Sequence, residues 1–249
     1  MDPVAFEIFG MPVRWYGIII SFGLLMATII AMREAKRVGI KEEDLLDLLL
    51  FAVPAAIIGA RIYFVLFTLD EYQGDFMRMI NIREGGLAIH GALIAGVIVG
   101  IVFCRVKKIN FWKLADLTGP SIILGQAIGR WGNYTNNEAH GGPTDLPWGI
   151  LVNGQKVHPT FLYESLWSFL VFLFLLWYRK KKKAEGEVFL LYVALYSLGR
   201  FFVEGLRTDS LMLGPIRVAQ LISVITIIIG GIIFVVNRKR YLSNNDKIS

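Results

Sequence analysis

Blocks of apolar residues, most of them near the length that crosses a lipid hydrocarbon core, constrain this chain more than any other feature. They run from Trp15 to Met32, Leu45 to Leu69, Leu87 to Cys104, Leu117 to Gly129, Phe161 to Tyr178, Val188 to Gly205 and Gly214 to Val236. An α-helix needs about 20 predominantly apolar residues to cross roughly 30 Å of hydrocarbon. In lipid the backbone polar groups must be satisfied within the segment, which selects helices. The block from Leu117 to Gly129 is the shortest and contains Pro120 and Gln126, so it reads as a short helix held inside a bundle. With 55% apolar and 18% charged residues, against about 25% charged in ordinary soluble domains, the expected fold is an all-α polytopic membrane protein with seven transmembrane helices.

Basic residues orient such a chain, because loops rich in Lys and Arg stay in the cytoplasm. Arg33, Lys36, Arg37 and Lys41 follow the first block, and Arg105, Lys107, Lys108 and Lys113 follow the third. Residues Arg179 to Lys183 follow the fifth, and Arg238, Lys239, Arg240 and Lys247 lie in the tail. The opposite side has Arg14, then Arg78 and Arg83, then Arg130 and Lys156 in the longest loop, and Arg207. The amino terminus is therefore expected outside and the carboxyl terminus in the cytoplasm. The net charge of +6 is mostly this topological signal; it points to anionic membrane lipids as partners and away from nucleic acid. The acidic, short amino terminus does not read as a cleavable signal peptide. No soluble domain or internal repeat stands out. The expectation is one integral membrane domain over residues 1–249, with a structured outer loop at about 130–160 and a basic tail at about 237–249. Cys104 is the only cysteine, so an intrachain disulfide and a cysteine metal cluster are excluded.

An ionisable group inside a span costs a few kcal/mol even on mild insertion scales, which makes it a functional candidate facing the bundle interior. Arg61, His90, Arg130, Arg200, Glu204 and Arg207 are such groups. Tyr196, Arg200, Glu204 and Arg207 follow the i, i+4, i+8, i+11 rule and should share one helix face. The stripe is either functional or a ladder of ion pairs that neutralises itself, Arg200 with Glu204 and Glu204 with Arg207. His90 stands among Gly85, Gly86 and Gly91; an imidazole with an ordinary pKa of about 6.5 suits general acid or base work, and the alternative is a histidine satisfied by a buried partner. No two histidines stand at helical ligand spacing and no His-Glu-x-x-His string occurs, so no metal is expected. Gly-x-Ser-x-Gly and Gly-x-Gly-x-x-Gly contexts are missing too. The arginines are left. Their planar forks grip phosphate oxygens in two places, and phospholipid headgroups sit at the depth where these arginines fall. A lipid-modifying enzyme, a non-catalytic phospholipid-binding protein and a secondary transporter of an anionic substrate all fit. The transporter should show paired interrupted helices in two halves, and only one clear interruption is present.

The string from Gly125 through Gly129-Arg130-Trp131-Gly132-Asn133, then Asn136-Asn137-Glu138 to Gly141, resembles the signature of the prolipoprotein diacylglyceryl transferases. Arg14-Trp15-Tyr16-Gly17, the stretch from Gly85 to Gly91, His158-Pro159-Thr160-Phe161-Leu162-Tyr163-Glu164, and Tyr196 to Glu204 match that family's other blocks in order. Two positions depart: Phe161 stands where the family usually has Gln, and Gly205 where it usually has an aromatic. The resemblance covers nearly the whole chain. It implies a seven-span protein of the bacterial plasma membrane that needs no cofactor. Its substrates would be phosphatidylglycerol and a prolipoprotein signal peptide with its lipobox cysteine, joined through a thioether as glycerol phosphate leaves. Carried over by position, Arg130 and Arg200 would hold the phosphate, and His90 would take or shuttle the thiol proton. Tyr16 and Tyr196 would orient phosphate or thiol, and Asn133 and Glu138 would shape the headgroup site. Gly141 would permit close backbone approach, and Glu204 and Arg207 would hold the arginine stripe.

Overall fold

The computed structural model describes residues 3–72, 74–82 and 85–245; Arg83 and Lys247 of the charge pattern lie outside the described residues. The chain divides into two compact units, residues 35–114 and residues 1–34 with 115–249. The order begins with strands β1 (Val4–Ile8) and β2 (Met11–Arg14), then helices α1 (Trp15–Val38), α2 (Glu42–Phe67), α3 (Phe76–Ile80), α4 (Ile89–Lys107) and α5 (Phe111–Thr135). It continues with β3 (Ile150–Val152), β4 (Gln155–Val157), α6 (Thr160–Tyr178), α7 (Glu187–Glu204), β5 (Met212–Leu213), β6 (Ile216–Arg217) and α8 (Val218–Asn245). Each sheet is one antiparallel hairpin.

Among the described residues five helices, α1, α2, α4, α6 and α8, are long and apolar enough to cross a membrane. The fourth apolar block is corrected: α5 is a 25-residue helix that runs through Pro120. Its missing N–H is tolerated because neighbouring helices surround it, and Leu117, Ile123 and Ala127 are buried along it. The expected interior position therefore holds and the expected shortness does not. The last block begins later than expected, since Gly214 sits in the β5–β6 turn and α8 starts at Val218.

In the unit of residues 35–114, α2 and α4 cross where side chains vanish. A Cβ on Gly91 would lie 2.1 Å from the Gly59 carbonyl oxygen, so only glycine lets these backbones meet. The acidic first turn of α2 meets the basic end of α4, with Lys107 Nζ 2.8 Å from Asp44 and 2.7 Å from Asp47. Arg61 is not a free functional charge. It is buried in α2 and donates to the carbonyls of Met79 (2.8 Å), Arg78 (2.6 Å), Gly85 (2.7 Å) and Gly86 (3.1 Å). It fastens the loop that leads into α4 and His90.

The other unit is built around a core of Ile123 and Leu124 from α5, Val171, Phe172 and Leu175 from α6, and Val188 and Tyr192 from α7. Its basic connection between α6 and α7 is more than a topological signal. The buried Asp116 carboxylate accepts from the backbone N–H of Gly186 (2.8 Å) and of Phe189 (2.9 Å) and from Lys182 Nζ (2.9 Å), which caps α7. Arg179 pairs with the buried Glu34 at 2.7 Å. The expected outer loop begins after Thr135 and contains the β3–β4 hairpin, tied further by a bridge between Pro143 and Val157.

Candidate active site

Helices α5 and α7 lie side by side in the same direction, joined by polar rungs one turn apart. Gln126 Nε2 donates to the Tyr192 hydroxyl at 3.1 Å, and Arg130 Nη2 donates to the Tyr196 hydroxyl at 3.1 Å. Against them α6 brings Glu164, whose side chain is only 7% exposed. Its Oε2 lies 2.5 Å from Arg130 Nε, and its Oε1 accepts from Arg200 Nη1 at 2.7 Å. One carboxylate therefore bridges two arginines from different helices. Arg200 Nη2 is also 2.7 Å from Glu204 Oε2 in the next turn of α7, an ion pair without hydrogen-bond geometry. Gly199 makes room for the cluster, because a Cβ there would come within 2.2 Å of Trp167. The Trp167 indole crosses bare backbone one residue before Arg200 and donates to the Leu195 carbonyl at 2.8 Å.

The end of α5 carries the rest of the signature string. The Tyr16 ring lies over Gly132, where a Cβ would be 2.8 Å from its Cδ2. Beyond the helix, Asn133 Nδ2 donates to Glu138 Oε1 at 2.9 Å and Asn136 Nδ2 does so at 3.4 Å. The close approach expected at Gly141 is made by the chain's own backbone. Its N–H donates to the His158 carbonyl at 2.9 Å, Gly142 N–H donates to the Leu206 carbonyl at 2.9 Å, and a Cβ on Gly141 would lie 2.9 Å from that same Leu206 oxygen. The loop after α5 is thereby stitched to the chain just after α7.

Arg207 corrects the expected stripe. α7 ends at Glu204, so Tyr196, Arg200 and Glu204 share a helix and Arg207 lies in the turn beyond it. Its fork closes on Asp209, Nε to Oδ1 at 2.8 Å and Nη2 to Oδ2 at 2.6 Å. This hydrogen-bonded guanidinium holds the Asp209 carboxyl below its ordinary range. The ladder reading holds for Arg200 with Glu204 and fails for Glu204 with Arg207. His90 belongs to the other unit, at the second position of α4, exposed, with its ring 5.8 Å from that of Tyr63.

Beside the arginine cluster an apolar cavity of about 660 Å³ opens between α1, α5 and α6. It shares Trp131 and Ser165, the residues next to Arg130 and Glu164, and is walled by Trp15, Phe22, Ile128 and Phe169. Two arginines, balanced in formal charge by the carboxylates of Glu164 and Glu204, thus adjoin an apolar space.

The family model described as prolipoprotein diacylglyceryl transferase matches residues 3–236. This chain belongs to the prolipoprotein diacylglyceryl transferase family. Among curated relatives, the phosphatidylglycerol–prolipoprotein diacylglyceryl transferase of Clostridioides difficile (strain 630) is 56% identical over 247 residues, 99% of this chain and 98% of the relative. Proteins of the same name from Finegoldia magna and Oceanobacillus iheyensis are 50% identical over 248 residues and 51% over 259, covering 99% and 98% of this chain and 100% and 90% of theirs. As a diacylglyceryl transferase family member the chain also shows what sequence reading passes over. Glu164 closes the His158–Glu164 block, yet it goes unassigned there. A carboxylate in the first turns of an otherwise apolar helix carries the same desolvation argument that singles out Arg200.

Proposed function

We propose that this chain transfers the diacylglyceryl group of phosphatidylglycerol to the lipobox cysteine thiol of a prolipoprotein, at the outer face of a bacterial plasma membrane. The relatives' names give the donor and the acceptor. The observation that carries the reading is the convergence of Arg130 and Arg200 on Glu164 beside an apolar cavity: an anionic phosphodiester and a fatty chain are the two parts of one ligand that such a place suits. In this reading seven helices span the membrane as a single domain, α5 and α7 included, with the amino terminus outside.

The reaction is a displacement. The cysteine sulfur forms a bond to C3 of the lipid glycerol, the C3–O bond to phosphate breaks, and its electron pair leaves on the phosphate oxygen of glycerol phosphate. The forks of Arg130 and Arg200 stabilise the charge that develops on that oxygen. Tyr196, which accepts from Arg130, orients the same fork, and Tyr16, Asn133 and Glu138 bound the headgroup. Gly141, Arg207 and Glu204 hold the surrounding backbone and the second arginine. The thiol, with an ordinary pKa of about 8.5, is mostly protonated at neutral pH; the acceptor we propose for its proton is His90, exposed at the start of α4.

The test uses lysine, which keeps the charge and loses the fork. In vesicles of phosphatidylglycerol with a lipobox peptide, Arg130→Lys and Arg200→Lys should each lower turnover on the order of a hundredfold while folding and inserting normally. Near-normal turnover by both folded variants would remove the clamp and the reading with it.

A further inference from the structure

Three two-residue hairpin turns occur among the described residues of the unit that carries the arginine cluster, and one of them breaks the rules for its position. The β3–β4 turn is Asn153-Gly154, with φ of 50° and 79°. Left-handed φ at both positions is the type I′ pattern, for which Asn-Gly is the favoured pair. The β1–β2 turn has the same pattern, φ of 51° and 75°, but its residues are Phe9-Gly10. A bulky aromatic at positive φ is a backbone outlier, and this one is 98% exposed. Strain and an exposed aromatic ring at one residue, where the same chain shows it can place Asn, point to something outside the chain that receives the ring. Ile8 and Met11 flank it and are exposed as well. The third turn, Gly214-Pro215 between β5 and β6, likewise carries exposed Met212, Leu213 and Ile216.

Both apolar hairpins sit at the site's end of their unit. β2 runs directly into α1 at Trp15, whose neighbour Tyr16 covers Gly132. β6 runs into α8, and Gln220 at the start of α8 donates to the Phe201 carbonyl, next to Arg200, at 3.0 Å. Each hairpin is thus continuous with an apolar helix long enough to cross a membrane.

We infer that the tips of these two hairpins dip into the lipid at the headgroup–acyl boundary and hold the arginine cluster at the depth of lipid phosphates. The polar Asn153-Gly154 tip stays in water. Aromatic and aliphatic side chains gain at that boundary what they lose in water, and the partner is the bilayer itself because the hairpins extend surfaces that already face it. The inference rests on the membrane reading of the spans and not on the transfer reaction.

Spin labels test it. With Cys104 replaced by Ser, single cysteines at Phe9, Leu213 and Asn153 are labelled in full-length protein reconstituted into phosphatidylglycerol vesicles. Collision with oxygen, which partitions into lipid, is compared with collision with a water-soluble nickel complex. Oxygen should dominate at 9 and 213 and nickel at 153. Nickel dominance at either 9 or 213 overturns the inference. So does a label that is aqueous in vesicles and becomes shielded only when lipobox peptide is added, since that would assign the hairpins to the peptide. Phe9→Asn, which relieves the turn, should raise the melting temperature in detergent while shifting a spin label on Met11→Cys from oxygen toward nickel in vesicles; a label that stays equally oxygen-accessible overturns the anchoring role of Phe9.

Discussion

Glu164 ties Arg130 and Arg200 together without a partner of its own sequence neighbourhood, and its removal exposes what each ion pair contributes. Glu164→Ala leaves two partly buried cations with one carboxylate between them, and breaking a buried pair from one side costs about 3–5 kcal/mol; thermal unfolding in detergent should show it. Glu164→Gln keeps the shape and one acceptor. Its expected signature is a lower kcat with KM for phosphatidylglycerol unchanged or reduced, because a competing carboxylate is gone while the forks lose their alignment. His90 is tested through pH. If it takes the thiol proton, His90→Gln should be most impaired near neutrality and recover part of its rate as pH approaches about 8.5, where the thiol ionises unaided; equal impairment at every pH would exclude the role. At residue scale the sequence shows which groups are ionisable in apolar surroundings, and spacing along one helix correctly relates Arg200 to Glu204. It does not relate residues on different helices, which is why Glu164 escapes notice and why Arg61 looks available when four carbonyls already occupy it.

At the scale of elements, the apolar blocks are legible because lipid leaves the backbone so few options, while their ends are less so. Pro120 reads as an interruption, yet α5 continues through it, since packing on both sides outweighs one lost hydrogen bond. The apparent i+11 partner, Arg207, falls past the last turn of α7 and finds Asp209 instead. That pair gives a pH prediction for the stitch between the loop after α5 and the end of α7. The folded Asp209 carboxyl is held low by Arg207, so its contribution is present above the ordinary carboxylate pKa of about 4 and is lost as pH falls through the lower folded value. The carboxylate is half-exposed, which limits the effect to under about 1 kcal/mol. Melting curves of wild type and Asp209→Asn should differ slightly and constantly from pH 5 to 8 and draw together as the pH falls below the ordinary carboxylate range.

At the scale of the whole molecule, the two compact units each bury glycine-mediated or polar helix contacts inside and present apolar helices outward. Orientation is tested by impermeant thiol labelling of intact cells, with Cys104 replaced: Thr144→Cys should label and Lys181→Cys should not, and the reverse pattern would put the arginine cluster on the cytoplasmic side. The central claim is chemical, and product analysis reaches it most directly. Purified protein in phosphatidylglycerol vesicles, given a lipobox peptide, should yield a peptide whose cysteine carries diacylglycerol through a base-stable thioether, with one glycerol phosphate released per peptide modified and no product from the Cys→Ser peptide. Glycerol phosphate release without peptide modification, or an acyl group joined to the cysteine sulfur as a base-labile thioester with no glyceryl thioether, would contradict the account.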